Sequence, residues 1–232
     1  MNRVIGVIIG LLISLTFIFS LKYKNSITLF SGIAFVLVVF QGWLGSFVVS
    51  TNLLPGLITL HMIVALLIVV LLVAAYYKSI PKGHTTVSSS YADYVRYLLY
   101  TMFLISFAQI IIGTQVREEI DIIARSFQHS ERHLWISSLG NLFPLHIALS
   151  VLLFAGHLLM YLLVKKVLPH YSALFGALFI VIFLEIVFGA ILGIFNLPAF
   201  AQPFHLLFGT LIIGGQFYLI LLSREVSLHK YA

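Results

Sequence analysis

The chain predicts an all-α, polytopic membrane helix bundle of seven spans, arranged as a three-plus-four internal repeat of a four-helix unit. Three observations carry that prediction. Of its 232 residues, 61% are hydrophobic and only 9% are charged, too little charged surface for a soluble domain, so most of the chain must face lipid or other helices. Apolar runs of about 20 residues, the length that crosses a bilayer as a helix, recur at 3–21, 27–49, 53–77, 92–115, 142–164, 171–195 and 201–223. Finally, a shift of 144 residues lays Gln41, Gly45, Asn52, Leu53 and His61 on Glu185, Gly189, Asn196, Leu197 and His205 without a gap. An offset that preserves a polar residue, a glycine and a histidine inside apolar segments marks a duplicated unit.

Taken in order, the first span has no small-residue cleavage site before Lys22 and reads as a retained helix, not a signal peptide. The shift makes it the partner of span five and sets Asn2 on His146. Span two carries Gln41-x-x-x-Gly45, and span three carries His61. Residues 78–91 (KSIPKGHTTVSSSY) are polar and turn-rich, a linker between a first half, 1–77, and a second, 92–232. Span four repeats the signature as Gln109-x-x-x-Gly113 and has no partner ahead of span one. The missing counterpart, one helix and its loop, is expected upstream of Met1. Residues 116–141 are predicted as the longest loop, with His129, His133 and Trp135, of a kind that caps a site. Span five opens with His146, span six holds Glu185-x-x-x-Gly189, and span seven has His205 in its first turns.

The +6 net charge is a topology signal and not a nucleic-acid surface. Lys22, Lys24, Lys78, Lys82, Arg96, Lys165, Lys166, Arg224 and Lys230 gather on one side; Arg3, Arg117, Arg125 and Arg132 lie on the other, among acids. The first side is expected to be cytoplasmic, with the N-terminus outside and the C-terminus inside. Cysteine is absent, which excludes disulfides, cysteine-ligated iron–sulfur clusters and thiol chemistry.

Chemistry must therefore rest on the histidines. An ionisable ring inside hydrocarbon is costly and marks a functional site by default, although a lone histidine is as readily an interhelical hydrogen-bonding group. His146 and His205 open helices that run in the same direction, so their rings sit at similar depth. Such a pair suits a planar macrocycle held edge-on, its iron bound axially by two imidazoles. His61 is the first-half equivalent, with Asn2 opposite; it would leave one axial position open, or mark a decayed site. His157 and Gln216, each 11 residues beyond a paired histidine, are expected to hydrogen-bond to each other and not to bind a second metal. His129 and His133 read as loop residues. The Gln-x-x-x-Gly signatures are expected to act as helix-packing contacts. Glu185, the only carboxylate deep in a span, stands where the other copies have glutamine. Arg117 either pairs a haem propionate or is a helix-end charge.

The segments FQGWLGSFVVSTNLLPGLITLHMIVAL (40–66), IIGTQVREEID (111–121), LHIALS (145–150) and LPAFAQPFHLLFG (197–209) resemble the haem A synthase family of cytochrome oxidase assembly proteins. Its members are eight-helix bundles of two four-helix halves that oxidise a methyl group of haem O to a formyl. The resemblance implies haem b as cofactor, ligated by His146 and His205, and a first-half site in which His61 handles the substrate haem. The opening MNRVIGVIIGLL looks like the family's second helix with Asn2 at its histidine position, and the family's catalytic glutamate would fall before Met1. The partners implied are haem O, a membrane electron acceptor, haem O synthase or other oxidase assembly proteins, and a second copy of the chain. The location implied is the bacterial cytoplasmic membrane, with the mitochondrial inner membrane as the alternative. Two other readings stay open. One is a non-enzymatic haem b electron carrier or haem chaperone that uses only the second-half site. The other is a transporter, suggested by the duplication but lacking paired broken helices.

Overall fold

A computed structural model describes residues 2–52, 54–80 and 90–228. Leu53, most of the 78–91 linker with Lys82 and His84, His229, Lys230, and the side chains of Asn2 and Arg3 lie outside the described residues. The helices are α1 (Asn2–Ser20), α2 (Ser26–Ser50), α3 (Leu57–Ser79), α4 (Ser90–Ser126), α5 (Leu142–Val167), α6 (Ser172–Ile194) and α7 (Ala201–Leu228). No strand occurs among the described residues. Six helices are long and apolar enough to cross a membrane, and α1 is a shorter apolar helix. Large side chains such as Val4, Leu11, Leu104, Val151 and Ile180 stand exposed along them. Outward apolar side chains on helices whose backbone polar groups are paired internally are what a lipid environment requires. The protein is a multi-pass membrane protein.

The chain divides into two compact units, Met1–His84 and Thr85–Ala232. In the first, α2 packs on α1 and α3. Asn25 caps α2 by accepting from the Ile27 amide at 2.9 Å, and the α1–α2 turn is pinned by a buried Ser20–Ser31 hydroxyl pair at 2.6 Å. In the second, α4 packs on α5 and α7, α5 on α6, and α6 on α7, closing a four-helix ring. The 144-residue repeat survives in the backbone: α2 ends at Ser50 and α6 at Ile194, while α3 begins at Leu57 and α7 at Ala201. Both hairpin turns place an asparagine in the left-handed region, Asn52 at φ 52° and Asn196 at φ 54°. Asparagine tolerates that region better than most side chains, and the Leu197 amide then closes the end of α6 on the Leu192 carbonyl at 2.8 Å.

The predicted 116–141 loop requires correction. Residues 116–126 continue α4, and only 127–141 form a connection, with a short 3-10 turn at Arg132–Leu134. The apolar-run criterion stops where charges begin, but a helix does not. An Arg117–Asp121 ion pair at 2.9 Å, one turn apart, lies along this continuation of α4. Val116, Ile120 and Ala124 meanwhile face inward onto Trp135 and Leu197.

Unit 2 is layered along α4. Val95 and Leu99 join one apolar cluster with Met160, Val164, Phe175 and Ile220; Val116 and Ile120 join the other. Between them α4 contributes Ser106 and Gln109, both buried. In that middle layer Gln216 Nε2 lies 2.8 Å from Ser106 Oγ and 2.9 Å from His157 Nε2. His157 Nδ1 must donate to the Leu153 carbonyl, 2.7 Å away, because a carbonyl only accepts. Its Nε2 is thereby left to accept from Gln216, which is the hydrogen bond expected from the sequence. Gln216→Leu should strand the Ser106 and His157 groups. The expected cost is about 1–2 kcal/mol, at the low end for buried partners because membrane reference states find alternatives. Unfolding in bicelles would measure it; an unchanged midpoint would show that the network is energetically idle.

Candidate functional site

Three helix hairpins, α2–α3, α4–α5 and α6–α7, build the same socket. The first helix presents a polar residue and, one turn later, a glycine; the second presents a histidine against that glycine. A β-carbon on Gly45 would lie 3.1 Å from His61 Cε1, one on Gly113 3.0 Å from His146 Cε1, and one on Gly189 3.1 Å from His205 Cε1. Any larger residue would invade the space of the ring. The Gln-x-x-x-Gly signature is thus more than the packing contact expected from the sequence: its glycine seats an imidazole.

The polar residue fixes the histidine's helix. Gln41 Nε2 donates to the His61 carbonyl at 2.8 Å, and Gln109 Nε2 donates to the His146 carbonyl at 2.8 Å and contacts Ser150 Oγ at 2.7 Å. These carbonyls have a second lone pair to give even when a helical amide uses the first. The Glu185 side chain instead meets the ring of its histidine. His205 Nδ1 lies 3.1 Å from Glu185 Oε1 and 3.2 Å from the Glu185 carbonyl. Since the carbonyl only accepts, Nδ1 carries the proton and Nε2 is the nitrogen free to bind a ligand. In the other two sockets His61 Nδ1 and His146 Nδ1 are buried without a partner, as are Gln41 Oε1 and Gln109 Oε1.

Within unit 2 the structure brings His146 and His205 together, ring centres 6.5 Å apart and planes at 73°. Two imidazoles on opposite sides of one metal, each bonded at about 2 Å with its centre roughly 1 Å beyond the nitrogen, have centres roughly 6 Å apart. The observed spacing fits two imidazoles that share one metal. No three His, Cys, Asp or Glu side chains converge among the described residues. A metal here would therefore bring its remaining ligands with it, as haem iron does.

The other predicted residues fall as follows. His61 lies in unit 1 in its own socket, and the side chain of Asn2 lies outside the described residues. Arg117 is engaged by Asp121 and is about half exposed. His129 and His133 are connection residues, His133 lying 3.6 Å from Glu131. Sequence reasoning missed Ser150 and Gly209, although the pattern was there to find. One turn after each histidine stands a small residue, Ala65, Ser150 or Gly209. A β-carbon on Gly209 would lie 3.3 Å from Glu185 Oε1. It also missed Arg132, which stacks over Trp135 at 5.5 Å and donates to the Leu197 carbonyl, tying the 127–141 connection to the turn ahead of His205. Gln202 Nε2 reaches the same carbonyl at 3.2 Å.

A duplicated bundle of membrane-length apolar helices defines an integral membrane protein, and its second unit pairs two histidines. The chain belongs to the cytochrome oxidase assembly protein family (COX15-CtaA), whose family model matches residues 1–217. Its role is accordingly in cytochrome oxidase assembly. Comparison with curated proteins gave no match, and neither did comparison with solved structures.

Proposed function

We propose that the chain performs haem A synthase-type oxidation of haem O, converting a porphyrin methyl to a formyl in support of oxidase assembly. The observation that carries this reading is the socket of unit 1. Unit 1 keeps the whole Gln41–Gly45–His61 arrangement although it does not repeat the histidine pair of unit 2. Retention of a seated imidazole, with Asn2 where the repeat has His146, suits a site that holds a haem from one side and leaves the other open. His146 and His205 would hold haem b in unit 2, which supplies one-electron redox chemistry when bound. The protein's own contribution is to orient each imidazole, through the glycine socket and the polar anchor, and to surround the site with apolar layers. Electrons released in the oxidation need a membrane acceptor. The charge distribution supports an N-terminus outside and a C-terminus inside.

The same Asn2 favours a second reading, a non-enzymatic haem b carrier or haem chaperone that uses only unit 2. Haem extraction and chromatography from membranes of cells that make haem O and express the chain separates the two. Haem A or its hydroxylated precursor is the expected product; haem B and unconverted haem O alone would favour the carrier. His61→Ala should leave the unit 2 haem spectrum in place and remove conversion. Unchanged haem A yield in that variant would show that His61 is only structural.

A further inference from the structure

The three sockets differ in one respect: two anchors are amides and the third is a carboxylic acid. Glu185 occupies the position of Gln41 and Gln109, and it alone contacts the ring of its histidine and not the backbone. Gly209, one turn beyond His205, has no side chain and leaves the carboxyl its space. Glu185 Oε2 is buried without a hydrogen-bond partner, and Oε1 is the oxygen that meets His205.

We propose that Glu185 is a positioning and tuning residue that makes His205 the stronger donor of an axial pair and lowers the reduction potential of the unit 2 haem. This inference rests on the paired-histidine haem reading above. A carboxylate that accepts the Nδ1 proton pulls the ring toward imidazolate and raises the basicity of Nε2. A more basic ligand favours the ferric state over the ferrous one. His146 has no carboxyl beside its ring, since its anchor Gln109 is an amide that donates to the His146 carbonyl. The two axial ligands are therefore electronically unequal, although their sockets have the same shape.

The test is a redox titration with parallel electron paramagnetic resonance on the full-length haem-loaded protein, comparing wild type, E185Q and Q109E. Glutamine at 185 keeps an acceptor oxygen in a side chain of similar size and removes the carboxyl group. E185Q should retain low-spin haem but titrate at a higher potential, with a shifted largest g-value. Q109E installs the same contact beneath His146 and should lower the potential. E185Q titrating with wild type would overturn the proposal, because a merely structural Glu185 would not set the potential. Should E185Q fail to load haem, Q109E decides alone: a fall supports the proposal and an unmoved potential overturns it. Wild-type protein without any low-spin haem would instead overturn the paired-histidine assignment underneath, a result read before either variant is compared.

Discussion

Alanine at His146 or at His205 is expected to abolish the low-spin haem absorbance of the purified protein completely. The two rings lie 6.5 Å apart between centres, and each is the sole imidazole its helix brings to the pair. Loss of one ligand leaves a five-coordinate iron at best, which changes spin state; loss of both leaves no protein bond to the metal. The helices themselves should survive, since neither His146 nor His205 belongs to the buried apolar clusters that flank the polar layer. Far-ultraviolet circular dichroism would confirm that, and a normal low-spin spectrum in both variants would sink the ligand assignment. His157→Ala provides the contrast. That ring is fully engaged by Leu153 and Gln216, so its removal should lower stability while the haem spectrum stays.

Leucine at Gly113 or Gly189 should remove the same signal with both histidines intact. A β-carbon at either position already meets Cε1 of the paired ring at 3.0 or 3.1 Å, and an isobutyl group must push the imidazole out of its socket. Helix propensity acts in the opposite direction, since replacing an interior glycine gains up to about 1 kcal/mol for the helix. Expelling the ring therefore has to outweigh that gain for haem to be lost. Gly42→Leu is the matching control, because a β-carbon there meets nothing within 4 Å. Haem content and the low-spin band are the measurements. Full occupancy in both socket variants would show that the glycines serve only helix approach.

Much of this architecture was legible in the chain before any coordinates. The seven apolar runs locate the helices because a bilayer sets their length. The 144-residue shift pairs α1, α2 and α3 with α5, α6 and α7, to the residue at the α2 and α6 ends. The end of α4 was not legible, because amphipathic continuation past Gln115 depends on Trp135 and Leu197 arriving to cover Val116 and Ile120. The latch from Arg132 to the Leu197 carbonyl was equally hidden: it joins positions far apart in sequence through a backbone acceptor, which no residue pattern announces.

The sequence by itself determined the membrane-bundle class, the internal repeat and the identity of the histidines, since each is written in hydropathy, in a fixed offset or in residue type. Only the tertiary structure decided what the polar anchors do. Gln41, Gln109 and Glu185 look interchangeable along the chain, but the two amides donate to a carbonyl while the carboxyl meets an imidazole. In the folded bundle, Glu185 therefore turns from its partner's backbone to the imidazole of His205. The direction of a hydrogen bond between two helices depends on which atoms face each other, and packing alone sets that.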